Sequence, residues 1–189
     1  MSAKGLLLPI AAPSGTGKTT ICRRLLASDR RFVFSVSVTT RPPRRTERNG
    51  VDYYFVSRSE FQQYIRAGKL AEYEEVFGNY YGTLRSTIDS AITAGNILLL
   101  DIDVKGALAI KRGYPDQTVA IFLRPPSQSE LLRRLKGRGT DDEQSISRRK
   151  ARIPDELRLG EQFDYQIVND QLDCTVETIL KKIEEHTQT

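Results

Sequence analysis

Ala12-Pro13-Ser14-Gly15-Thr16-Gly17-Lys18-Thr19 decides the fold. The stretch nearly matches G-x-x-x-x-G-K-[ST], with Ala12 where the pattern has its first Gly. Gly15 and Gly17 let the backbone turn so that successive N–H groups face inward and cradle phosphate oxygens. A helix beginning at Lys18 aims the positive end of its dipole at the same point. In such a loop Lys18 reaches the β and γ phosphates and the Thr19 hydroxyl ligates Mg2+. The flanks supply the required context. Residues 5–11 are apolar and lead straight into the loop, so they read as a buried first strand rather than as a signal peptide. Ile21, Cys22, Leu25 and Leu26 follow at helical spacing.

Outward from the loop, strands and helices alternate, which predicts an α/β fold with a mainly parallel sheet flanked by helices. Residues 32–38 read as a second strand, 39–51 as a highly charged loop and 51–56 as a strand. A helix is expected over 57–68, capped at Ser59 and stopped at Gly68. Residues 70–77 read as a strand, 79–83 as a turn or short strand, and 84–94 as a helix ended by Gly95. The apolar run Ile97-Leu98-Leu99-Leu100 ends in Asp101, a carboxylate where phosphate-loop enzymes place a group near Mg2+. Residues 119–123 form another buried strand, and Ser127 caps a helix reaching about residue 136. Gly137-Arg138-Gly139 reads as a mobile hinge before a long polar helix, then a strand at 166–168 and a closing helix over 173–185. One domain is expected. Its core comprises 1–33, 95–125 and 158–189, and two insertions span 34–94 and 126–157.

Composition narrows the chemistry. With 39% hydrophobic and 28% charged residues in 189, the chain reads as soluble, and no apolar run is long enough to span a bilayer. Cys22 and Cys174 are read as reduced, small buried hydrophobes of a cytoplasmic protein. A lone histidine, His186, near the C-terminus argues against histidine-based triads and metal sites. The net charge is +5 and the pI near 9.3. The positive charge falls into two clusters, Arg41, Arg44, Arg45 and Arg48, and a second from Arg133 to Arg152 interrupted by Asp141, Asp142 and Glu143. Two clusters suit a site closing on phosphates from two sides better than a continuous nucleic-acid face.

Arg41 and Arg44, three apart and held by prolines, can both grip one phosphate. Here the sequence resembles the guanylate kinase family. The matching residues are the 12–19 loop, Thr39-Thr40-Arg41 with Pro43-Arg44, Gly50 with Tyr53 and Phe55, and Glu72. Further on come Gly78-Asn79-Tyr80-Tyr81-Gly82-Thr83, Leu100-Asp101-Ile102-Asp103, Pro125-Pro126-Ser127, Gly137-Arg138-Gly139 and Ile167-Val168-Asn169-Asp170. They occur in the family's order over nearly the whole chain.

The resemblance implies a P-loop NTPase-type core, a GMP-binding subdomain at 34–94 and an Arg-rich lid at 126–157. It also implies transfer of a phosphoryl group from MgATP to GMP, and to dGMP as well. Arg41, Arg44, Tyr53 and Tyr81 would hold the GMP phosphate, Glu72 the guanine N1–H and 2-amino group, Ser37 and Thr83 the O6, with Asp103 on the base side. ATP would meet Ala12, Pro13, Ser14, Gly15, Thr16, Gly17, Lys18, Thr19 and Thr20, with Arg134 and with Asn169 near the adenine. Lys18, Arg41, Arg138 and Arg149 would stabilise the transfer, and Thr19 and Asp101 would serve Mg2+.

Glu72, purely an acceptor, suits guanine's two donors, whereas adenine offers an unprotonated N1 there. Tyr80 reads as strand packing. Thr46 stands where the family usually has Gly, Lys105 where Gln is common and beside Asp101 and Asp103, Pro9 lies in the first strand, and Pro154 interrupts the helix after the lid. The rival reading is a non-catalytic guanylate kinase-like interaction module, against which the complete phosphate loop and the lid arginines stand. A kinase for another acceptor and an RNA-binding protein are weaker rivals, the latter lacking any RNA-reading motif.

Overall fold

The structure is a computed structural model that describes residues 5–127, 129–131, 133 and 143–187. A five-stranded, wholly parallel sheet forms its centre, in the order β2-β7-β1-β8-β9. The strands are β1 (Leu6–Ala11), β2 (Phe32–Phe34), β7 (Ile97–Asp101), β8 (Ile121–Arg124) and β9 (Tyr165–Val168). Because helices cover both faces, the strands are apolar on both sides. Leu6, Leu8, Ile10, Ile97, Leu99, Ile121 and Leu123 face α1 (Lys18–Ser28) and the last helix, α6 (Leu172–Thr187). Leu7, Leu98, Leu100 and Phe122 face α3 (Arg85–Thr93) and α4 (Val104–Gly113).

Pro9 sits in the middle of this sheet, not at its edge. The Leu7 carbonyl accepts from Val119 on the β8 side at 2.9 Å. Pro9, two residues on, points its hydrogen-free nitrogen the same way. The β1–β8 ladder is accordingly short, an isolated bridge at Leu7 followed by pairing at Ile10 and Ala11.

A second sheet, in the order β4-β3-β6-β5, contains β3 (Ser37–Thr39), β4 (Tyr53–Phe55), β5 (Leu70–Val76) and β6 (Asn79–Leu84). Strands β5 and β6 form a hairpin whose two loop residues, Phe77 and Gly78, have φ of 50° and 79°. Both are positive, as a primed turn requires. Helix α2 (Arg58–Arg66) packs Phe61 against Val38 and Leu70, and Tyr80 stacks on Phe61 at 5.3 Å as expected.

Several expectations are corrected. The strand expected at 32–38 is two strands in different sheets, because Ser35 and Val36 carry the chain from β7 to the second sheet. The cap of α2 is Ser57, which shares a capping box with Glu60, and not Ser59. Helix α4 was not foreseen. It starts at Asp103, whose side chain accepts from the Gly106 N–H at 2.8 Å. Helix α5 (Glu143–Gly160) runs through Pro154 rather than stopping there. Lys150 and Pro154 are exposed, and an interior proline costs about 3 kcal/mol even on a solvated helix, which the packing of its buried face must offset. Cys22 is buried but Cys174 is exposed, and neither is in a disulfide. Thr46 needs no glycine, since its φ is not positive and the Glu47 N–H closes the turn on the Arg44 carbonyl. Ser127 does cap a helix, accepting from the Glu130 N–H at 3.1 Å. The hinge expected at Gly137-Arg138-Gly139 lies outside the described residues. No described helix is long and apolar enough to cross a membrane.

Candidate functional site

The phosphate loop joins β1 to α1 as expected. Gly15 and Gly17 have φ of 99° and 96°, values that side chains rarely tolerate. Gly17 is the N-cap of α1, so the Lys18 and Thr19 N–H groups at the helix start have no acceptor within the helix and suit an anion. Thr16 is buried and closes the loop on the Pro13 carbonyl at 2.7 Å. The Asn169 amide donates to the Thr16 carbonyl at 2.6 Å and lies where a Cβ on Gly17 would be 2.8 Å away. Asn169 therefore braces the loop from the end of β9. The Lys18 ammonium donates to the Ile102 carbonyl at 2.7 Å and pairs with Asp101 Oδ1 at 2.6 Å. Thr19 Oγ1 is 3.4 Å from Asp101 Oδ2. A hydroxyl and a carboxylate side by side are hard-oxygen donors of the kind Mg2+ prefers, and Mg2+ leaves its other positions to phosphate and water. Lys105 takes no part, since the partners of Asp101 and Asp103 are Lys18 and Arg152.

Opposite the loop, Arg41 is held by Glu47 in a two-pronged pair, with contacts of 3.0 and 2.8 Å. Both side chains are largely buried, at 15% and 13% exposed. The hydrogen bonds from Arg41 hold the Glu47 carboxyl below its usual range, and the same bonds raise Arg41. The Arg41 guanidinium also lies over the rings of Tyr53, at 5.4 Å, and Phe55. Tyr53 meets Tyr81 edge-on at 6.1 Å, so Arg41, Tyr53 and Tyr81 are brought together. Arg44 is different. Its side chain is 74% exposed, with a long 3.9 Å contact to Glu47.

The other end of the cleft is a cavity of about 190 Å³ whose lining includes Ser37, Tyr53, Glu72, Tyr81 and Asp103, together with Lys18 and Asp101. Glu72 comes from β5, and Thr83, opposite it on β6, donates to Glu72 Oε1 at 2.6 Å. Its other oxygen rests on Gly106, where an added Cβ would lie 2.7 Å from Oε2. Burial lifts the Glu72 pKa to about 7, aided by Asp103 and Glu74 and opposed by the Thr83 bond. The result is a buried carboxylate with its acceptor edge in a narrow cavity, suited to a flat ligand offering two N–H donors.

Helix α5 closes the cleft from the side. Arg149 donates to Ser14 Oγ at 2.7 Å, which places it against the phosphate loop. Arg134 and Arg138 lie outside the described residues. Thr20 is exposed on the first turn of α1. Glu47, Arg152 and Glu156 were missed. All three line cavities of this cleft. A lone acid between four arginines was the available signal for Glu47, and i, i+3, i+7 spacing from Arg149 was the signal for the other two.

The sequence profile described as "Guanylate kinase" matches residues 5–186. A guanylate kinase of Salinibacter ruber is 48% identical over 178 residues, 94% of each chain. One from Symbiobacterium thermophilum is 47% identical over 169 residues, 89% of this chain and 80% of that one. The crystal structure of guanylate kinase from Anaplasma phagocytophilum superposes with a TM-score of 0.82 at 34% identity, covering 99% of this chain and 88% of the other. With the phosphate loop, the paired arginine and the buried glutamate on one cleft, the chain belongs to the guanylate kinase family.

Proposed function

We propose that this chain transfers the γ-phosphoryl group of ATP to GMP, and to dGMP, giving ADP and the diphosphate in purine nucleotide metabolism in the cytoplasm. The observation that carries the acceptor is Glu72, a buried carboxylate facing the cavity with Thr83 bonded to it. Guanine donates from N1–H and the 2-amino group to the Glu72 carboxylate, with Asp103 beside it, while Ser37 addresses O6; Thr83 gives its proton to Glu72 Oε1 and would have to turn from it to serve O6 as well. Adenine presents an acceptor at N1 and leaves the acid unsatisfied, a mismatch of the kind that rejects an analogue by about 10⁴-fold. Arg41, Arg44, Tyr53 and Tyr81 take the GMP phosphate.

Phosphoryl transfer asks for positioning and charge stabilisation rather than covalent chemistry. A GMP phosphate oxygen attacks the γ-phosphorus in line with the departing ADP oxygen. The loop from Ala12 to Thr20 cradles the ATP phosphates, Lys18 holds the β and γ oxygens, and Arg149, Arg134 and Arg138 approach from the lid. Asn169 lies on the adenine side and holds the loop. Thr19 and Asp101 would hold Mg2+, which would supply positive charge against the transferring phosphoryl group. In this reading, residues 1–33, 95–125 and 158–189 are the core, 34–94 the GMP-binding subdomain and 126–157 the lid. The interaction-module alternative is not favoured, because every group the transfer needs in the phosphate loop is present. ADP production with MgATP and, separately, GMP, dGMP, AMP, CMP and UMP tests the reading. Turnover with GMP and dGMP alone is expected. Comparable turnover with AMP would overturn the role of Glu72.

A further inference from the structure

Helix α5 carries Arg149, Arg152 and Glu156 at positions i, i+3 and i+7, which share one face. That face lines a cavity of about 370 Å³ together with Lys18, Asp103 and Phe77. Arg149 reaches the phosphate loop at Ser14. Arg152 turns the other way. Its Nη2 is 3.8 Å from Asp103 Oδ2, its Nε 3.5 Å from Glu156 Oε1, and its guanidinium lies 5.6 Å over the Phe77 ring.

Each of those neighbours belongs to a different part of the cleft. Phe77 is the half-exposed tip of the β5–β6 hairpin, whose strands supply Glu72, Tyr81 and Thr83. Asp103 commits Oδ1 to capping α4 and offers Oδ2 to Arg152. Glu156 keeps Arg152 on its own helix, its carboxyl raised by burial and lowered by Arg152. Both ionic contacts are longer than the 2.6 Å of Lys18 and Asp101, and the Arg152 side chain is 36% exposed. Such pairs contribute little to folding. The arrangement makes better sense as a joint than as a brace.

We propose that Arg152 is a positioning residue that ties occupancy of the acceptor cavity to the placement of Arg149. The inference rests on the reading of Glu72 and Asp103 as the guanine end of the site. A base engaging Asp103 fixes the oxygen that Arg152 meets and draws in the hairpin tip beneath its guanidinium. Arg152, one turn from Arg149 on the same helix, carries that setting to the arginine at the phosphate loop. Arg suits this joint and Lys does not, because a planar guanidinium can stack on Phe77 while its edge faces two carboxylates.

The test compares the full-length wild type with Arg152→Ala and Arg152→Lys, reading kcat and the KM of each substrate, and includes a double-mutant cycle with Asp103→Asn. Arg152→Ala should lower kcat about 10-fold and raise the GMP KM several-fold, with the ATP KM within about twofold and the melting temperature unchanged. Arg152→Lys should fail to restore kcat. The Arg152→Ala penalty should shrink at least about threefold when Asp103 is already Asn, as expected of residues acting through one another. Unchanged kcat and GMP KM, strict additivity with Asp103→Asn, or equal losses for both substrates with a lowered melting temperature would each overturn the proposal. If Asp103→Asn alone leaves the GMP KM unchanged, the acceptor reading itself fails, and the joint with it.

Discussion

Glu72→Gln should make the protein more stable and a worse enzyme, and pH should separate the two effects. Glu72 is 9% exposed, and burial raises its pKa from 4.5 to about 7. A carboxyl raised on folding contributes its full stability below the unfolded value, near 4.5, and loses it as pH rises through about 7. Above that window the folded chain must hold a charge that burial disfavours. Linkage between those two values gives a wild-type loss of about 2 to 3 kcal/mol between pH 5 and pH 8. The Gln amide has nearly the same shape, can still accept from Thr83 and does not titrate in this range. The variant should therefore gain about 2 to 3 kcal/mol on the wild type between pH 5 and pH 8. Any pH-independent repacking cost cancels in that difference.

The measurement is urea unfolding of both proteins at the two pH values and one ionic strength. Activity should move oppositely. The ionised Glu72 offers two acceptors to guanine, whereas the amide offers one acceptor and a clashing donor. Losing hydrogen bonds to a charged group should lower kcat/KM for GMP by about 10² to 10⁴-fold at pH 8, with little change in the ATP KM. A stability difference that stays flat or shrinks between the two pH values would refute the assignment of a raised pKa to Glu72. An unaltered GMP KM would refute its role as base reader.

Glu47→Ala removes the carboxylate that holds Arg41 and the Arg44 N–H, contacts of 2.7 to 3.0 Å. It should cost about 2 kcal/mol of stability by chemical denaturation and raise the GMP KM about 10-fold, because Arg41 loses its bearing. Gly17→Ala meets both a φ of 96° and the Asn169 amide at 2.8 Å. It should cost at least about 1 to 2 kcal/mol and weaken ATP binding in a fluorescent-nucleotide titration, leaving GMP affinity nearly unchanged. Gly160→Ala lies far from the chemistry, but its Cβ would meet the Phe122 ring at 2.5 Å. The melting temperature should fall by an amount equivalent to about 1 to 3 kcal/mol, with kcat unaltered at permissive temperature.

Much of this fold was written in local signals. Strand β1, the phosphate loop and α1 form one continuous stretch in which apolar spacing, two glycines and a lysine agree. Asp101 was legible because a four-residue apolar run stops there. What escaped depended on partners distant in sequence. Phe32-Val33-Phe34-Ser35-Val36-Ser37-Val38 alternates like one strand, and only the positions of β7 and β6 divide it between two sheets. Helix α4 hides because its ten residues include two glycines, two lysines and an arginine, and its cap, Asp103, reads first as a site residue. The base end of the site came from a resemblance, since no local pattern says that a glutamate on a strand is buried. Arg41 and Arg44 read alike in sequence, yet one is nearly buried in a two-pronged pair and the other is 74% exposed. That difference comes from the turn that brings Glu47 back onto the loop.

The two principal cations of the cleft each hold an internal carboxylate, Lys18 on Asp101 and Arg41 on Glu47. In the proposed reaction a phosphate would reach them by exchange, and the exposed Arg44 would meet it first. Asp101 makes the exchange at Lys18 informative. It touches both Lys18 and Thr19, so transfer of Lys18 onto ATP phosphates releases a carboxylate beside the hydroxyl expected to serve Mg2+. Nucleotide and cation would then assist one another, since each would take one partner of the same ion pair. Asp101→Asn separates them. Without its carboxylate partner Lys18 is available to phosphate at once, so affinity for ATP in EDTA should rise about 3- to 10-fold, the scale of an ion pair partly shielded from solvent. Affinity for MgATP should fall by a similar factor, because the cation would lose the carboxylate proposed to serve it. Calorimetric titration with and without Mg2+ reads both numbers. Equal losses in the two conditions would mean that Asp101 merely holds the loop in shape, and the exchange argument would fail.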